Sequence, residues 1–301
     1  MTKTLLPKPL SVTHAHLMAC ANTELCARGD SKTANVRILD AGCGDGRLLA
    51  YLEACLTQLH PEWTIELYGF DVTDHGVQQS GFIDGAAQYL SEHSPKVDWA
   101  NRIRAVGARD PWPFSDESFD LVLSNQVLEH VQDHAHFFRE LYRVLMRGGA
   151  SVHLFPLKHY IYEGHLHLPW VHRIRSHDLR SGYISLLSRL GIGKYRHLDE
   201  RGKPGRNISA QEYAERHADY MAFLTNYLSE SQALDIATRA GLRASFRYTP
   251  DFYAQKLWSL AHHAPRVIYQ QTNRGLRDSI AVTFLRYVSS VTLTCQKENR
   301  Y

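Results

Sequence analysis

The fold is decided by residues 36–52, which have the sequence VRILDAGCGDGRLLAYL. The first five residues are mostly apolar and rich in branched side chains, which predicts a buried strand. Three glycines follow at alternate positions, Gly42, Gly44 and Gly46, and leucines then recur at helical spacing over 47–59. Because glycine permits a tight turn and a close backbone approach, this strand, turn and helix predict a site for a nucleotide-like cofactor.

Strand and helix patterns alternate from here to residue 156. Apolar runs predict further strands, and periodic stretches predict helices, the last of them ended by Gly148-Gly149: strands 65–71, 102–107, 119–125 and 150–155, helices 11–28, 77–92 and 133–146. Such alternation is typical of an α/β protein with a doubly wound, mostly parallel sheet. Ligands of these sheets lie beyond the carboxyl ends of the strands, which singles out the loops 41–46, 71–75, 108–114 and 125–131.

Two aspartates end the first two predicted strands. Asp71 follows Gly46 by 25 residues, and a carboxylate there could accept hydrogen bonds from both hydroxyls of a ribose, or could cap the next helix. Asp40 precedes a G-x-G-x-G turn, which differs from the G-x-G-x-x-G of nicotinamide dinucleotide sites. A carboxylate at that position would repel a pyrophosphate and attract an ammonium group. The sequence therefore favours a cofactor that carries an amino acid.

Three segments together resemble class I S-adenosylmethionine-dependent methyltransferases of the small-molecule, type 11-like kind. Residues 36–52 are similar to the first motif, 111–131 (PWPFSDESFDLVLSNQVLEHV) to the fourth-strand region, and 137–156 (FFRELYRVLMRGGASVHLFP) to the helix, turn and strand that follow. A fainter likeness covers a late helix and sixth strand at 226–250 and an antiparallel seventh strand at 289–297. The resemblance implies a Rossmann-like, doubly wound, mostly parallel seven-stranded sheet with an antiparallel last strand.

The resemblance also implies a role for individual residues. S-adenosylmethionine would be bound by the first turn, the end of the second strand and the loops after the third and fourth strands: Asp40, Gly42, Cys43, Gly44, Gly46, Asp71, Val72, Ala108, Arg109, Asp110, Asn125 and Gln126. Asp40 would lie near the amino group of the methionine moiety, and Asp71 would bind the ribose diol. Ala108 replaces the acidic residue that often contacts the adenine amino group, so backbone groups of 108–110 are expected there. Glu129-His130 matches the Glu-His pair of the family.

A histidine-rich segment, 153–177, begins where the fifth predicted strand ends. Methyl transfer needs a nucleophile in line with the sulfonium, and a hydroxyl acceptor also needs a base, a task that suits histidine. We therefore expect the catalytic base at His165 or His167, with His130 as a further candidate. Two alternatives remain open: His165 and His167 could bind zinc or iron together with Glu163, or these histidines could be surface residues.

We expect a single methyltransferase domain over 1–301. Its cofactor-binding core is predicted at 30–156, a mainly helical insertion after the fifth strand at 157–225 should recognise the acceptor, and 226–301 should complete the sheet. A basic stretch at 194–206 could meet an anionic acceptor or face solvent. The expected function is methyl transfer to a small-molecule acceptor, on oxygen because histidine bases are available. Methylation of RNA or protein, and cofactor binding without catalysis, are the alternatives.

Composition bears on partners and compartment. The chain has 34 Lys and Arg against 31 Asp and Glu, a net charge of +3 that is too close to balance to suggest a nucleic-acid partner. Five scattered cysteines without a C-x-x-C pair favour a reduced protein over a disulfide framework. No apolar run approaches a signal peptide or a membrane span of roughly 18 residues. We therefore expect a cytoplasmic protein with no membrane partner, and a homodimer could form through the aromatic-rich residues 251–288.

Overall fold

The computed structural model describes residues 6–28, 35–74, 82–196, 208–270 and 275–298. Strands and helices alternate from residue 35 to residue 155 much as the sequence predicts. In chain order the elements are α1 (Val12–Ala27), β1 (Asn35–Ala41), α2 (Arg47–Leu59), β2 (Thr64–Val72), α3 (Phe82–His93), β3 (Ile103–Val106), β4 (Phe119–Asn125), α4 (His134–Val144), β5 (Leu145–Phe155), β6 (Tyr162–Glu163), β7 (Leu168–Pro169), α5 (His177–Arg189), α6 (Ala210–Phe223), α7 (Glu230–Arg239), β8 (Arg243–Ser245), α8 (Thr249–Leu260), α9 (Gly275–Leu285) and β9 (Val291–Gln296).

Seven strands of the described residues form one sheet in the order β3-β2-β1-β4-β5-β9-β8. The five strands from β3 to β5 pair in parallel, and β9 lies antiparallel between β5 and β8. This order confirms the predicted Rossmann-like sheet. The late strands predicted within 226–250 and 289–297 are β8 and β9.

Helices cover both faces of the sheet, and successive residues of each central strand face opposite layers. Leu121 and Leu123 of β4 pack into the cluster formed with α1, α2 and α8, whereas Val122 packs into the cluster formed with α4 and α7. Because both faces are covered, six of the seven residues of β4 are buried. In the described part of the chain, no helix combines the length and apolar character needed to cross a membrane.

The segment after β5 is mainly helical, as predicted. A short hairpin, β6 and β7, precedes α5 and α6, and these two helices pack against each other. The segment has an apolar cluster of its own, which includes Val171, Ile184, Tyr213 and Met221. Of the basic stretch 194–206, the part from 197 onward lies outside the described residues.

The prediction that Gly148-Gly149 end the fourth helix is wrong. Helix α4 ends at Val144, and β5 begins at the next residue, Leu145, so both glycines lie within the strand. Gly148 has a φ of 72°, and a Cβ on Gly149 would lie 2.8 Å from the carbonyl oxygen of Met146. The glycines therefore permit an irregular beginning of β5, where its pairing with β4 shifts register.

Candidate active site

A cavity of about 990 Å³ opens at the carboxyl ends of the parallel strands. Its volume lies at the upper end of the range found for small-molecule sites, which leaves room for a cofactor and a second molecule. Eight of the residues predicted to bind the cofactor line its wall: Gly42, Gly44, Asp71, Val72, Ala108, Arg109, Asn125 and Gln126. The cavity therefore lies where ligands of doubly wound sheets bind.

The glycine turn after β1 adopts a backbone that other residues tolerate poorly. Gly42, Gly44 and Gly46 have φ values of 79°, 57° and 77°. The N–H of Gly42 donates to the carbonyl oxygen of Phe70 at 2.9 Å, which fixes the turn to β2. A Cβ on Gly42 would lie only 2.5 Å from Cγ2 of Val127. This turn therefore needs glycine for its backbone angles and, at Gly42, also for space.

Asp71 is held at the end of β2 by two backbone hydrogen bonds. Gly44 donates to Oδ2 at 3.0 Å, and Val72 donates to Oδ1 at 2.8 Å. Burial raises the pKa of Asp71, and these two bonds partly offset that rise. Each carboxylate oxygen retains the capacity to accept a further hydrogen bond, so the pair of oxygens fits a ribose diol.

Asp40 lies behind the turn, at the end of β1. Its side chain is buried, and its Oδ1 has no hydrogen-bond partner within the described ranges. Burial raises the pKa of Asp40 well above its usual value, and the nearby charges of Asp71 and Asp45 add to the rise. An unpartnered buried oxygen fits a ligand that brings a donor or a cationic group. Cys43 is also buried, and Gly46 is the N-cap of α2. Like Asp40, these two residues are not part of the cavity wall.

The loop after β2 contributes a carboxylate that sequence reasoning missed, and this carboxylate contacts the loop after β3. Asp74 lines the cavity, and its Oδ1 accepts the N–H of Ala108 at 2.7 Å. Asp110 instead turns toward Gly107, where an added Cβ would lie 2.5 Å from Oδ2, and it is not part of the wall. Although Ala108 offers no acidic side chain, this part of the wall still has one. The signal was the position of Asp74 in the predicted site loop 71–75.

Two polar residues follow β4 in the cavity wall. Gln126 has a φ of 57°, which is uncommon outside glycine, and its N–H donates to the carbonyl oxygen of Leu154 at 2.7 Å. Asn125 donates from Nδ2 to Oγ1 of Thr13 at 3.4 Å, and its Oδ1 is buried without a hydrogen-bond partner. The amide oxygen of Asn125 can therefore accept a hydrogen bond from a ligand.

An aromatic side of the wall was also missed. The ring of Trp112 lies with its centroid 4.7 Å from that of Phe70 and 5.1 Å from that of Phe137, and all three residues line the cavity. The presence of Trp112 in the predicted site loop 108–114 was the available signal. These rings form an apolar surface against which a flat group can pack.

The three predicted catalytic histidines do not all come together. His130 lines the cavity, and its ring centroid lies 4.9 Å from that of His165. Nδ1 of His130 lies 2.7 Å from the carbonyl oxygen of Leu224, and burial lowers the pKa of His130. His167 is exposed, its ring lies 5.8 Å from that of Tyr162, and among the described residues it does not belong to the group of ligand atoms that includes His130 and His165.

Glu163 fixes the orientation of His165. Its Oε1 lies 2.5 Å from Nδ1 of His165 and also accepts the hydroxyl of Tyr227 at 3.0 Å, while Oε2 accepts the N–H of Leu166 at 2.7 Å. Burial alone would raise the pKa of Glu163, but the hydrogen bonds and charge of His165 lower it to about 2. Both oxygens of Glu163 are therefore engaged in hydrogen bonds within the protein.

His165 also belongs to a group of possible metal ligands that does not include Glu163. Glu129 is buried and neither of its carboxylate oxygens has a hydrogen-bond partner among the described residues. Burial raises the pKa of Glu129 to about 8. One donor atom each of Glu129, His130 and His165 lie within 4.8 Å of one another, so this group could hold a metal ion.

Part of this chain is similar to known proteins. Residues 39–152 match a family model described as a methyltransferase domain. The biotin biosynthesis bifunctional protein BioHC of Teredinibacter turnerae is 29% identical over 126 residues, which cover 40% of this chain and 20% of that protein. Ajmaline N-methyltransferase of Rauvolfia serpentina is 32% identical over 115 residues, 38% of this chain and 34% of that one. The matches thus span about a fifth and about a third of the length of these two relatives.

A solved structure of geranyl diphosphate methyltransferase with S-adenosylmethionine is also similar, with a TM-score of 0.48 and 13% identity over 96% of this chain and 86% of that chain. The family match covers the glycine turn, Asp71 and Asn125, which are the residues on which the sequence resemblance depends. Residues 39–152 are therefore similar to a methyltransferase domain.

Proposed function

We propose that this protein transfers the methyl group of S-adenosylmethionine to an oxygen atom of a small-molecule acceptor. This proposal is supported by a single cavity that extends from the predicted cofactor residues to the helical insertion. One wall runs from Gly44 and Asp71 past His130 to Ala222 and Phe223 of the helical insertion. Cofactor and acceptor would therefore share one space, as in-line transfer requires, because the reacting atoms must approach to about 3–3.5 Å.

The protein's own part is mainly to bind and orient. The cofactor supplies an activated methyl group on a sulfonium. Asp71 would hold the ribose diol, while the unpartnered oxygens of Asp40 and Asn125 would accept hydrogen bonds from the methionine end. The aromatic side of the wall would exclude water from one side of the cofactor. These contacts leave the His130 end of the cavity for the acceptor.

Methyl transfer to a hydroxyl must also release a proton. As the new C–O bond forms, the S–C bond breaks with its electron pair going to sulfur, and the hydroxyl proton must leave. We assign this proton transfer to the His130–His165 pair rather than to His167. The carbonyl oxygen of Leu224 can only accept, so Nδ1 of His130 donates to it and Nε2 keeps a lone pair. Because burial lowers the pKa of His130, this ring is neutral near pH 7 and can take up a proton.

Cofactor binding is the first test. Calorimetric titration with S-adenosylhomocysteine, with NADH as the control, should show binding of the first compound alone. The purified protein should then be incubated with methyl-labelled S-adenosylmethionine and a metabolite extract, and labelled products identified by mass spectrometry. An O-methylated small molecule is the expected product. Label in RNA or protein, or on nitrogen as the name of the Rauvolfia relative would suggest, would contradict the proposed acceptor.

A variant tests the proton transfer. His130→Ala should reduce the rate of methyl transfer by about 100-fold or more, because positioned acid–base groups contribute on this scale. Its affinity for S-adenosylhomocysteine should stay within about threefold of wild type, since His130 lies beyond the predicted cofactor contacts. Full activity of a folded His130→Ala protein would remove this residue from the mechanism.

A further inference from the structure

Three residues that could bind a metal ion come together beside the cavity, at its His130 end. Glu129 and His130 belong to a short 3₁₀ turn after β4, and His165 lies in the loop between β6 and β7 of the insertion. One donor atom of each residue lies within 4.8 Å of the others. This group, the Glu129–His130–His165 cluster, therefore joins the cofactor-binding core to the insertion.

The carboxylate of Glu129 lacks any partner that would explain its burial. The residue is 1% exposed, and neither of its two oxygens has a hydrogen bond within the described part of the chain. A buried polar group without a partner is costly, and native proteins almost always satisfy it. Two imidazole rings, those of His130 and His165, each have a possible ligand atom within 4.8 Å of a Glu129 oxygen. A shared cation would satisfy the carboxylate and both rings at once.

Both rings are oriented with Nε2 available. Nδ1 of His130 must carry the hydrogen that the carbonyl oxygen of Leu224 accepts at 2.7 Å. Nδ1 of His165 lies 2.5 Å from Oε1 of Glu163, whose two oxygens accept three further hydrogen bonds. A second hydrogen bond to a carbonyl or a carboxylate is the usual way in which a metal-ligating histidine is fixed. Each ring therefore turns a lone pair away from its fixed nitrogen.

We propose that Glu129, His130 and His165 bind one divalent transition-metal ion through a carboxylate oxygen and two Nε2 atoms. Two imidazoles and one carboxylate suit zinc or ferrous iron, whereas magnesium and calcium prefer oxygen ligands. Ligands about 2.1 Å from a tetrahedral ion are about 3.4 Å apart, so the side chains would close by roughly 1 Å on binding. Such a site leaves one coordination position open.

The open position gives the ion a role that rests on the proposed function. Because His130 also lines the cavity, the fourth ligand of the ion can be a hydroxyl of the acceptor. A bound metal ion lowers the pKa of a coordinated hydroxyl, which can then release its proton to solvent water instead of to a histidine. His130 and His165 would act as ligands in that state. Binding of the ion itself does not depend on methyl transfer.

Titration of the full-length, chelator-treated protein with Co²⁺ tests the site, because visible absorption reports the coordination of this ion. We expect one Co²⁺ per chain, displaced by Zn²⁺ but not by an equal concentration of Mg²⁺. Glu129→Gln and His165→Ala should each weaken Co²⁺ binding by at least about tenfold, and Glu163→Gln by about 10- to 100-fold. His177→Ala is the matched control, because His177 is an exposed histidine of the same insertion that contacts Asp219, and it should bind Co²⁺ as wild type does.

The outcomes separate this inference from the proposed function. No stoichiometric Co²⁺ binding by wild type, or equal binding by Glu129→Gln and His165→Ala, would overturn the metal site. Thermal unfolding and S-adenosylhomocysteine binding verify that each variant is folded; if Glu129→Gln is not, the more exposed His165→Ala decides. Cluster-dependent Co²⁺ binding without any methyl transfer would support the site and reject the function. Methyl transfer by a protein that binds no ion would reject the site alone.

Discussion

The backbone N–H of Gly44 donates to Oδ2 of Asp71 at 3.0 Å, so the glycine turn itself holds the carboxylate predicted to bind the ribose. The turn and the carboxylate belong to different strands, and this hydrogen bond sets their relative position before a ligand arrives. A preorganised acceptor loses less entropy on binding than a mobile one. The arrangement leads to the first of four predictions.

Asp71→Asn should weaken S-adenosylhomocysteine binding by about 2 kcal/mol, roughly thirtyfold, because charge-assisted hydrogen bonds to the ribose are lost. Asp45→Asn is the matched control. It removes one negative charge from the glycine turn that contacts Asp71, but Asp45 is exposed and pairs with Arg47. Calorimetry should place the control within about threefold of wild type. Equal affinities of the two variants would reject the ribose assignment.

Gly42→Ala and Gly44→Ala should differ in stability. A Cβ on Gly42 would lie 2.5 Å from Cγ2 of Val127, whereas a Cβ on Gly44 would meet nothing closer than 4.0 Å. Gly44→Ala should therefore cost about 1–2 kcal/mol from its positive φ alone, and Gly42→Ala about 1–3 kcal/mol more from crowding. Urea unfolding measures both free energies. Adding Val127→Ala should recover part of the loss in Gly42→Ala but not in Gly44→Ala; recovery in both would contradict the steric explanation.

Acid should destabilise the fold through two buried histidines. Burial lowers the pKa of His16 and of His153 from 6.5 to about 3. Below pH 6.5 the unfolded chain therefore binds protons that the folded chain excludes, and the free energy of unfolding falls until about pH 3. Each residue should contribute a slope of up to about 1.4 kcal/mol per pH unit.

Urea unfolding of wild type and His153→Gln between pH 7 and pH 5 measures this slope. His153 accepts or donates hydrogen bonds with Ser124 at 2.8 Å and Ser151 at 2.9 Å, and glutamine can keep one of them. The variant should be less stable at pH 7 but should lose stability more slowly on acidification. An unchanged slope would mean that His153 does not titrate on unfolding.

A bulky residue at the insertion should affect the acceptor and not the cofactor. Ala222 lies in the cavity wall near the end of α6, away from the glycine turn. Ala222→Trp should raise the KM for the acceptor by about tenfold or more and leave S-adenosylhomocysteine affinity unchanged, since only the acceptor end is narrowed. Gln211→Trp, at the exposed beginning of the same helix, is the control. A larger effect on cofactor affinity than on acceptor KM would place the acceptor elsewhere.

Local patterns were enough to predict much of the fold. Helix α2 and strand β4 have the bounds expected from the sequence, 47–59 and 119–125. Both elements have a pattern that one structure alone satisfies: an apolar stripe that begins after a glycine, and a continuous apolar run bounded by polar residues. The beginning of β5 was mispredicted because Gly148-Gly149 is also a common end of a helix. Only the pairing with β4 shows that the strand continues through them.

The candidate site residues that could be located from the sequence are those at the carboxyl ends of predicted strands. Asp71 and Asn125 each come at the end of a strand, and the topology brings them together. The meeting of Glu129 with His165 was not predictable, because 157–176 has no periodicity from which its path could be derived. Glu163 shows the same limit, because its hydrogen bond with Tyr227, 64 residues further along the chain, could not be derived from the sequence.

The position of β9, between β5 and β8 in the sheet, has a consequence for folding during translation. During translation, the edge of β5 is made long before Val291–Gln296 emerge to pair with it, and β8 has no place in the sheet until then. An open strand edge invites pairing with other chains, and strands far apart in sequence pair slowly. The nascent chain should therefore depend on the helices around β1 and β4 to stay compact, and the sheet should close only as the last step of folding.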